Sequence, residues 1–206
     1  MKIFQRGIEP RISSVLFKDR IVVILGPRQS GKTTLAKKII STYGAEGEYY
    51  DCQLADIRAH FVLGKPNLLL PLTNRKKIVV FDEAQTIQDI GSMLKAYHDT
   101  YPGVQIIATG SSSFDLANKI AEPLTGRTVQ FTVYPLSLEE LTSYWGETEV
   151  SIQLEHLLIY GSYPAIITAS SLEEKTVLLK QLATDYLYKD VLSFDRVKKS
   201  EVLQKL

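Results

Sequence analysis

The residues with the most chemistry in the shortest span are Gly26-Pro27-Arg28-Gln29-Ser30-Gly31-Lys32-Thr33. Their types and spacing fit G-x-x-x-x-G-K-[ST], a pattern suited to cradling a chain of phosphates. Backbone N–H groups must turn inward around the anion, which requires glycine where a Cβ would block a positive φ or a close approach. A helix following the loop aims the partial positive charge of its N-terminus at the same anion. Lys32 would bring a point charge to the β- and γ-phosphates, the Thr33 hydroxyl would be a ligand for Mg²⁺, and Thr34 completes the set expected at the nucleotide. The bland alternative, a glycine turn with an exposed lysine, leaves the apolar run before the loop and the helical pattern after it unexplained.

A second candidate element is acidic. Ile78-Val79-Val80-Phe81 is an apolar run ending in Asp82-Glu83. Carboxylates at the end of a strand are often only solvated, but together with a phosphate loop they acquire roles. Asp82 would hold Mg²⁺, a hard ion that prefers oxygen ligands and keeps much of its water. Glu83 would polarise the attacking water, provided that water lies within hydrogen-bond reach. Ala108-Thr109-Gly110-Ser111-Ser112-Ser113 follows another apolar run. Thr109 or Ser111 would position the water or contact the γ-phosphate, while Ser113 is equally a helix N-cap for the segment opening at Phe114. Arg127, in Leu124-Thr125-Gly126-Arg127, is either a donor to a transferring phosphate or an ordinary surface or ion-pair arginine.

The elements that must position these residues follow from pattern. Ile21–Leu25 and Ile78–Phe81 are unbroken apolar runs, as expected of strands buried on both faces. Shorter strands are expected at 48–52, 104–109 and 128–133. Leu35, Ile39 and Tyr43 recur every four residues, predicting a helix from Lys32 to Tyr43. A further helix is expected between Cys52 and Gly64-Lys65-Pro66. Ile87, Ile90, Leu94 and Tyr97 share one face of an amphipathic helix that Tyr101-Pro102-Gly103 stops. Strands alternating with helices imply an α/β fold: a mainly parallel five-stranded sheet flanked by helices, the P-loop NTPase arrangement. After Tyr134-Pro135 the pattern is helical only, over 137–144, 152–160 and 172–192. The expected division is therefore a core of residues 1–135 and a small helical appendage of 136–206, which the resemblance named below makes a lid. The last residues, Glu201 to Leu206, stop inside a helix-like pattern, so further chain is expected beyond them.

Composition narrows the class. Lys and Arg number 24 against 23 Asp and Glu, so no global field draws the protein to nucleic acid. One cysteine, Cys52, allows no internal disulfide and no cysteine-rich zinc site. The scattered histidines His60, His98 and His156 have no ligand spacing. Neither a secretory signal nor a run of ~20 apolar residues is present, so a soluble, cytoplasmic protein without membrane insertion is expected.

Taken together, the residues resemble a prokaryotic family of AAA+-type ATP-binding proteins. The likeness rests on Gly26-Pro27-Arg28-Gln29-Ser30-Gly31-Lys32-Thr33-Thr34-Leu35, Phe81-Asp82-Glu83-Ala84-Gln85 and Thr109-Gly110-Ser111-Ser112. It extends to Leu124-Thr125-Gly126-Arg127, Tyr134-Pro135-Leu136-Ser137 with Glu140, Gly161-Ser162-Tyr163-Pro164 and Tyr188-Lys189-Asp190-Val191. The resemblance implies ATP and Mg²⁺ as cofactors and hydrolysis that moves a helical lid and a further C-terminal domain. It also implies a homo-oligomer in which Arg127 acts as an arginine finger on a neighbouring subunit's nucleotide. It names no protein or nucleic-acid partner. Other readings are a nucleic-acid-dependent translocase, which would need a second recombinase-like domain, and a nucleotide switch that does not hydrolyse. A small-molecule kinase would need an arginine-rich lid, and residues 140–190 contain no arginine.

Overall fold

The computed structural model describes residues 4–74, 76–110 and 123–184. These fall into two compact units that meet in sequence between Tyr134 and Pro135.

The first unit is built on five parallel strands: β1 (Ile21–Leu25), β2 (Gly47–Asp51), β3 (Ile78–Asp82), β4 (Gln105–Gly110) and β5 (Thr128–Thr132). Their order across the sheet is β2-β3-β4-β1-β5. Every residue of β1, β3 and β4 is buried, which is why Ile21–Leu25 and Ile78–Phe81 read as continuous apolar runs rather than alternating ones. The outer strands β2 and β5 are half-exposed and mix polar with apolar residues. One face of the sheet is covered by a cluster containing Val79, Phe81, Ile90, Leu94 and Tyr97. The other is covered by Ile12, Leu35, Ala36 and Ile39 against Val22, Ile24 and Val80.

The helices that cover these faces are α1 (Glu9–Ser13), α2 (Lys32–Ser41), α3 (Ala55–Arg58), α4 (Leu70–Thr73) and α5 (Ile90–Thr100). Two expectations need correcting. The helix predicted between Cys52 and Gly64 is only the single turn α3. Beyond it the chain turns so that Phe61 meets Phe81 edge-on, ring centroids 5.0 Å apart. The helix expected from Ile87 begins instead at Ile90, after a 3₁₀ turn at Ala84–Thr86 and after Asp89 in the left-handed region, φ 52°. Ile87, Ile90, Leu94 and Tyr97 are all buried, so the apolar pattern marked the core even where it did not mark the helix.

The second unit is helical throughout its described length, with helices at Leu138–Trp145, Glu147–Ile152, Leu154–Tyr160, Pro164–Thr168 and Leu172–Ala183. Ser137 opens the first with a complete capping box: its hydroxyl accepts from the Glu140 N–H, and the Glu140 carboxylate accepts from the Ser137 N–H. The helix expected over 152–160 is present as Leu154–Tyr160, and the further short helix Glu147–Ile152 ends just before it, with Gln153 between the two. The stretch 185–192 of the last predicted helix lies outside the described residues.

Candidate functional site

Strand order makes the site. β4 lies between β1 and β3, so the loop leaving β1 and the acidic end of β3 face each other across the end of β4. The registers Ile24↔Thr109 and Phe81↔Ala108 bring Thr109 beside Asp82 and just below the loop. The carboxyl ends of parallel strands are where ligands bind in open α/β sheets.

The loop follows directly from β1. Gly26 takes φ +147°, Gln29 φ +58° and Gly31 φ +96°, and Gly31 stands at the N-terminus of α2. Gly26 is required on steric grounds, because a Cβ there would lie 2.1 Å from the Val133 carbonyl oxygen. Lys32 folds back over the loop, its Nζ donating to the carbonyls of Gly26 at 2.9 Å and Pro27 at 2.8 Å. Burial lowers the pKa of this ammonium from its ordinary value; Glu83 and Asp82 pull it upward and Arg28 lowers it. Thr33 is half-buried and Thr34 exposed on the first turn of α2. The Ser30 hydroxyl is fully buried and makes no hydrogen bond to the described residues.

Asp82 gathers the other groups. Its Oδ2 accepts from the Thr33 hydroxyl at 2.8 Å and from the Tyr49 hydroxyl at 2.6 Å. Its Oδ1 accepts from the Thr109 hydroxyl, and that oxygen in turn accepts from the Glu83 N–H at 3.2 Å. Burial raises the Tyr49 pKa, with the hydrogen bond to Asp82 acting the same way, so this hydroxyl stays a donor. Glu83 occupies the left-handed region at φ 52°, and its side chain accepts from the Gln85 amide. A non-glycine residue held there costs ~1–3 kcal/mol and persists only where its surroundings over-determine it.

The donor set fits a magnesium triphosphate. Thr33 and Asp82 supply adjacent hard oxygens; Lys32 supplies a cation, and the buried Ser30 hydroxyl lacks the partner that a phosphate oxygen would be.

Arg127 lies elsewhere. It precedes β5, at the amino ends of the strands, and its Nε donates to Asp99 at 2.8 Å. This hydrogen bond is the main reason the exposed Asp99 carboxyl sits below its ordinary pKa. A five-residue strand at ~3.3 Å per residue separates Arg127 from the loop end of the sheet by roughly 15 Å. Around it is a cavity of about 570 Å³ whose lining includes Arg20, His98 and Asp99. Ser111 and Ser113 lie outside the described residues. Of the expected residues, the structure therefore brings together Gly26–Thr34, Asp82, Glu83 and Thr109, and leaves Arg127 apart.

Sequence reasoning overlooked two contributors. Tyr49 reaches Asp82 only because β2 pairs with β3 in the register Tyr49↔Val80. Arg6 donates to the Ser30 carbonyl at 2.7 Å from a segment with no motif. Neither had a local signal that could have revealed it.

Residues 18–142 match the family model described as an AAA domain. The chain belongs to this AAA family. Its curated relatives include an uncharacterized protein of Methanocaldococcus jannaschii, 26% identical over the whole of this chain and 49% of its own length. Another, from Mycobacterium tuberculosis, is 27% identical over 93% of this chain and 40% of its own. The chain thus spans about half the length of the curated relatives it matches. Among solved structures, the Walker-type ATPase of Pyrococcus abyssi superposes with a TM-score of 0.59 at 16% identity, covering 94% of this chain and 76% of that one. AMPPCP-bound DnaA from Aquifex aeolicus gives 0.52 at 13%, covering 89% and 62%. At these identities the likeness is one of fold, and the fold of this AAA domain is the α/β P-loop NTPase type. Among the described residues no helix is long and apolar enough to cross a membrane.

Proposed function

We propose that this AAA domain binds ATP with Mg²⁺ at Gly26–Thr34 and hydrolyses it. Hydrolysis would drive movement of the helical lid, residues 136–206, and of the further domain that the family resemblance implies. The observation that carries the reading is the hydroxyl–carboxylate cluster: Thr33, at the end of the phosphate loop, shares Asp82 with Thr109. Thr33 and Asp82 would hold the ion, which supplies charge neutralisation at the phosphates. Lys32 exchanges its two carbonyl acceptors for phosphate oxygens. Glu83 orients and polarises the attacking water once Gln85 releases its carboxylate, and Thr109 holds the Glu83 backbone in register with Asp82.

Arg127 would complete a neighbouring subunit's site in a homo-oligomer, since its place at the far end of the sheet puts its own nucleotide out of reach. Asp99 then holds the guanidinium until assembly offers a stronger anion.

The test of the central claim is Lys32→Ala, measured as affinity for a labelled ATP analogue with Mg²⁺. Loss of binding is expected, because the triphosphate charge would face the loop uncompensated. Near-normal affinity would remove the claim.

A further inference from the structure

Arg6 stands ahead of α1 in a stretch with no functional signature, yet its residue is only 7% exposed. Lone arginines are mostly exposed, and burying one requires hydrogen bonds that answer its desolvation. Its guanidinium forks between two backbone carbonyls, Nη1 donating to Ser30 at 2.7 Å and Nη2 to Tyr134 at 2.6 Å. The Tyr134 end is anchored on the sheet, because the preceding residue, Val133, donates its N–H to Leu25 at 2.8 Å. The Ser30 end is inside the phosphate loop.

The consequence follows from peptide geometry. Among the described residues no peptide bond is cis, and in a trans peptide the C=O of one residue and the N–H of the next point to opposite sides. Fixing the Ser30 carbonyl on the Arg6 side therefore fixes the Gly31 N–H on the other. Without that anchor the unit is free to flip, because Gly31 at φ +96° tolerates either sign of φ. A flipped peptide would present a carbonyl oxygen where phosphate needs a donor. The N-terminal segment is itself held against α2. Glu9 pairs with Lys38 at 2.6 Å, and Ile12 and Leu16 share a buried cluster with Leu35, Ala36 and Ile39.

We propose that Arg6 is a positioning residue for nucleotide binding: it locks the Ser30–Gly31 peptide in the anion-accepting orientation by bracing the loop against the end of the sheet. This rests on the phosphate-loop reading above. A planar fork can hold two carbonyls at once, whereas a lysine ammonium at that place brings charge without the fork.

The experiment uses the whole chain and reads binding of a fluorescent ADP, not turnover, alongside the melting midpoint without nucleotide. Arg6→Lys and Arg6→Ala should both weaken binding by at least ~10-fold, the loss equivalent to one charge-assisted hydrogen bond. Arg6→Lys should still melt within a few degrees of wild type, as a charge-conserving change whose loss is one of orientation. Added methylguanidinium should restore part of the affinity of Arg6→Ala and none to Lys32→Ala. Glu9→Gln, which breaks the ion pair but spares the fork, should bind as wild type does. Wild-type affinity in Arg6→Lys, no recovery of Arg6→Ala with methylguanidinium, or unfolding of Arg6→Lys would each overturn the inference. If Lys32→Ala binds as tightly as wild type, the phosphate-loop reading fails instead, and this inference fails with it.

Discussion

Substituting Gly26 by alanine isolates the steric demand that the phosphate loop places on the fold. The added Cβ would stand 2.1 Å from the Val133 carbonyl oxygen, 3.0 Å from its carbon and 3.3 Å from the Ser30 hydroxyl. The carbonyl cannot rotate away as a side chain could, because it is backbone beside the Val133 N–H bond to Leu25. Relieving the overlap means parting β5 from β1 at the mouth of the site by about 1 Å or more, which overpacking studies put at ~1–3 kcal/mol. Holding alanine at φ +147° adds ~1–3 kcal/mol. The stretched Leu25–Val133 bond adds ~1 kcal/mol. The expected loss is ~3–7 kcal/mol, a large part of a typical domain's ~5–15. At ~2–4 °C per kcal/mol for a chain of this size, the midpoint should fall by at least ~6 °C. Gly44→Ala is the matched control: φ is +52° and nothing lies within 4 Å of the added carbon, so only the backbone strain of ~1–2 kcal/mol applies. Thermal melts followed by circular dichroism would compare the two. Equal melting of Gly26→Ala and Gly44→Ala would show that the close approach of β1 and Val133 does not constrain the loop.

Glu83→Gln should retain nucleotide while hydrolysis slows by at least ~10²-fold, since the amide keeps the shape but not the charge that polarises water; a normal turnover rate in a phosphate-release assay would take Glu83 out of the mechanism. Mixing Glu83→Gln with Arg127→Ala should restore hydrolysis that neither shows alone, because a supplied arginine is worth 10³–10⁵ in rate. Activity independent of protein concentration, with no recovery on mixing, would leave Arg127 as the ion-pair partner of Asp99.

The sequence alone determined whatever depends on local pattern. A strand buried on both faces must be apolar throughout, so Ile21–Leu25 and Ile78–Phe81 declared themselves, and the loop between β1 and α2 declared its glycines and lysine. Asp82 and Glu83 were legible because they close such a strand in a chain that also carries a phosphate loop. Short segments were less legible. Residues 53–64 carry helix-forming side chains, but only the turn Ala55–Arg58 is helical, and Phe61 beyond it packs edge-on against Phe81. What only the tertiary structure decided is adjacency. The order β2-β3-β4-β1-β5 inserts Thr109 between the loop and Asp82, and the β2–β3 register delivers the Tyr49 hydroxyl to that carboxylate. Arg6 reaches Ser30 and Tyr134 across separations of 24 and 128 residues. Hydrogen bonds of that span leave no periodicity in the chain, because their geometry is fixed by the packing of whole strands and helices rather than by neighbouring residues.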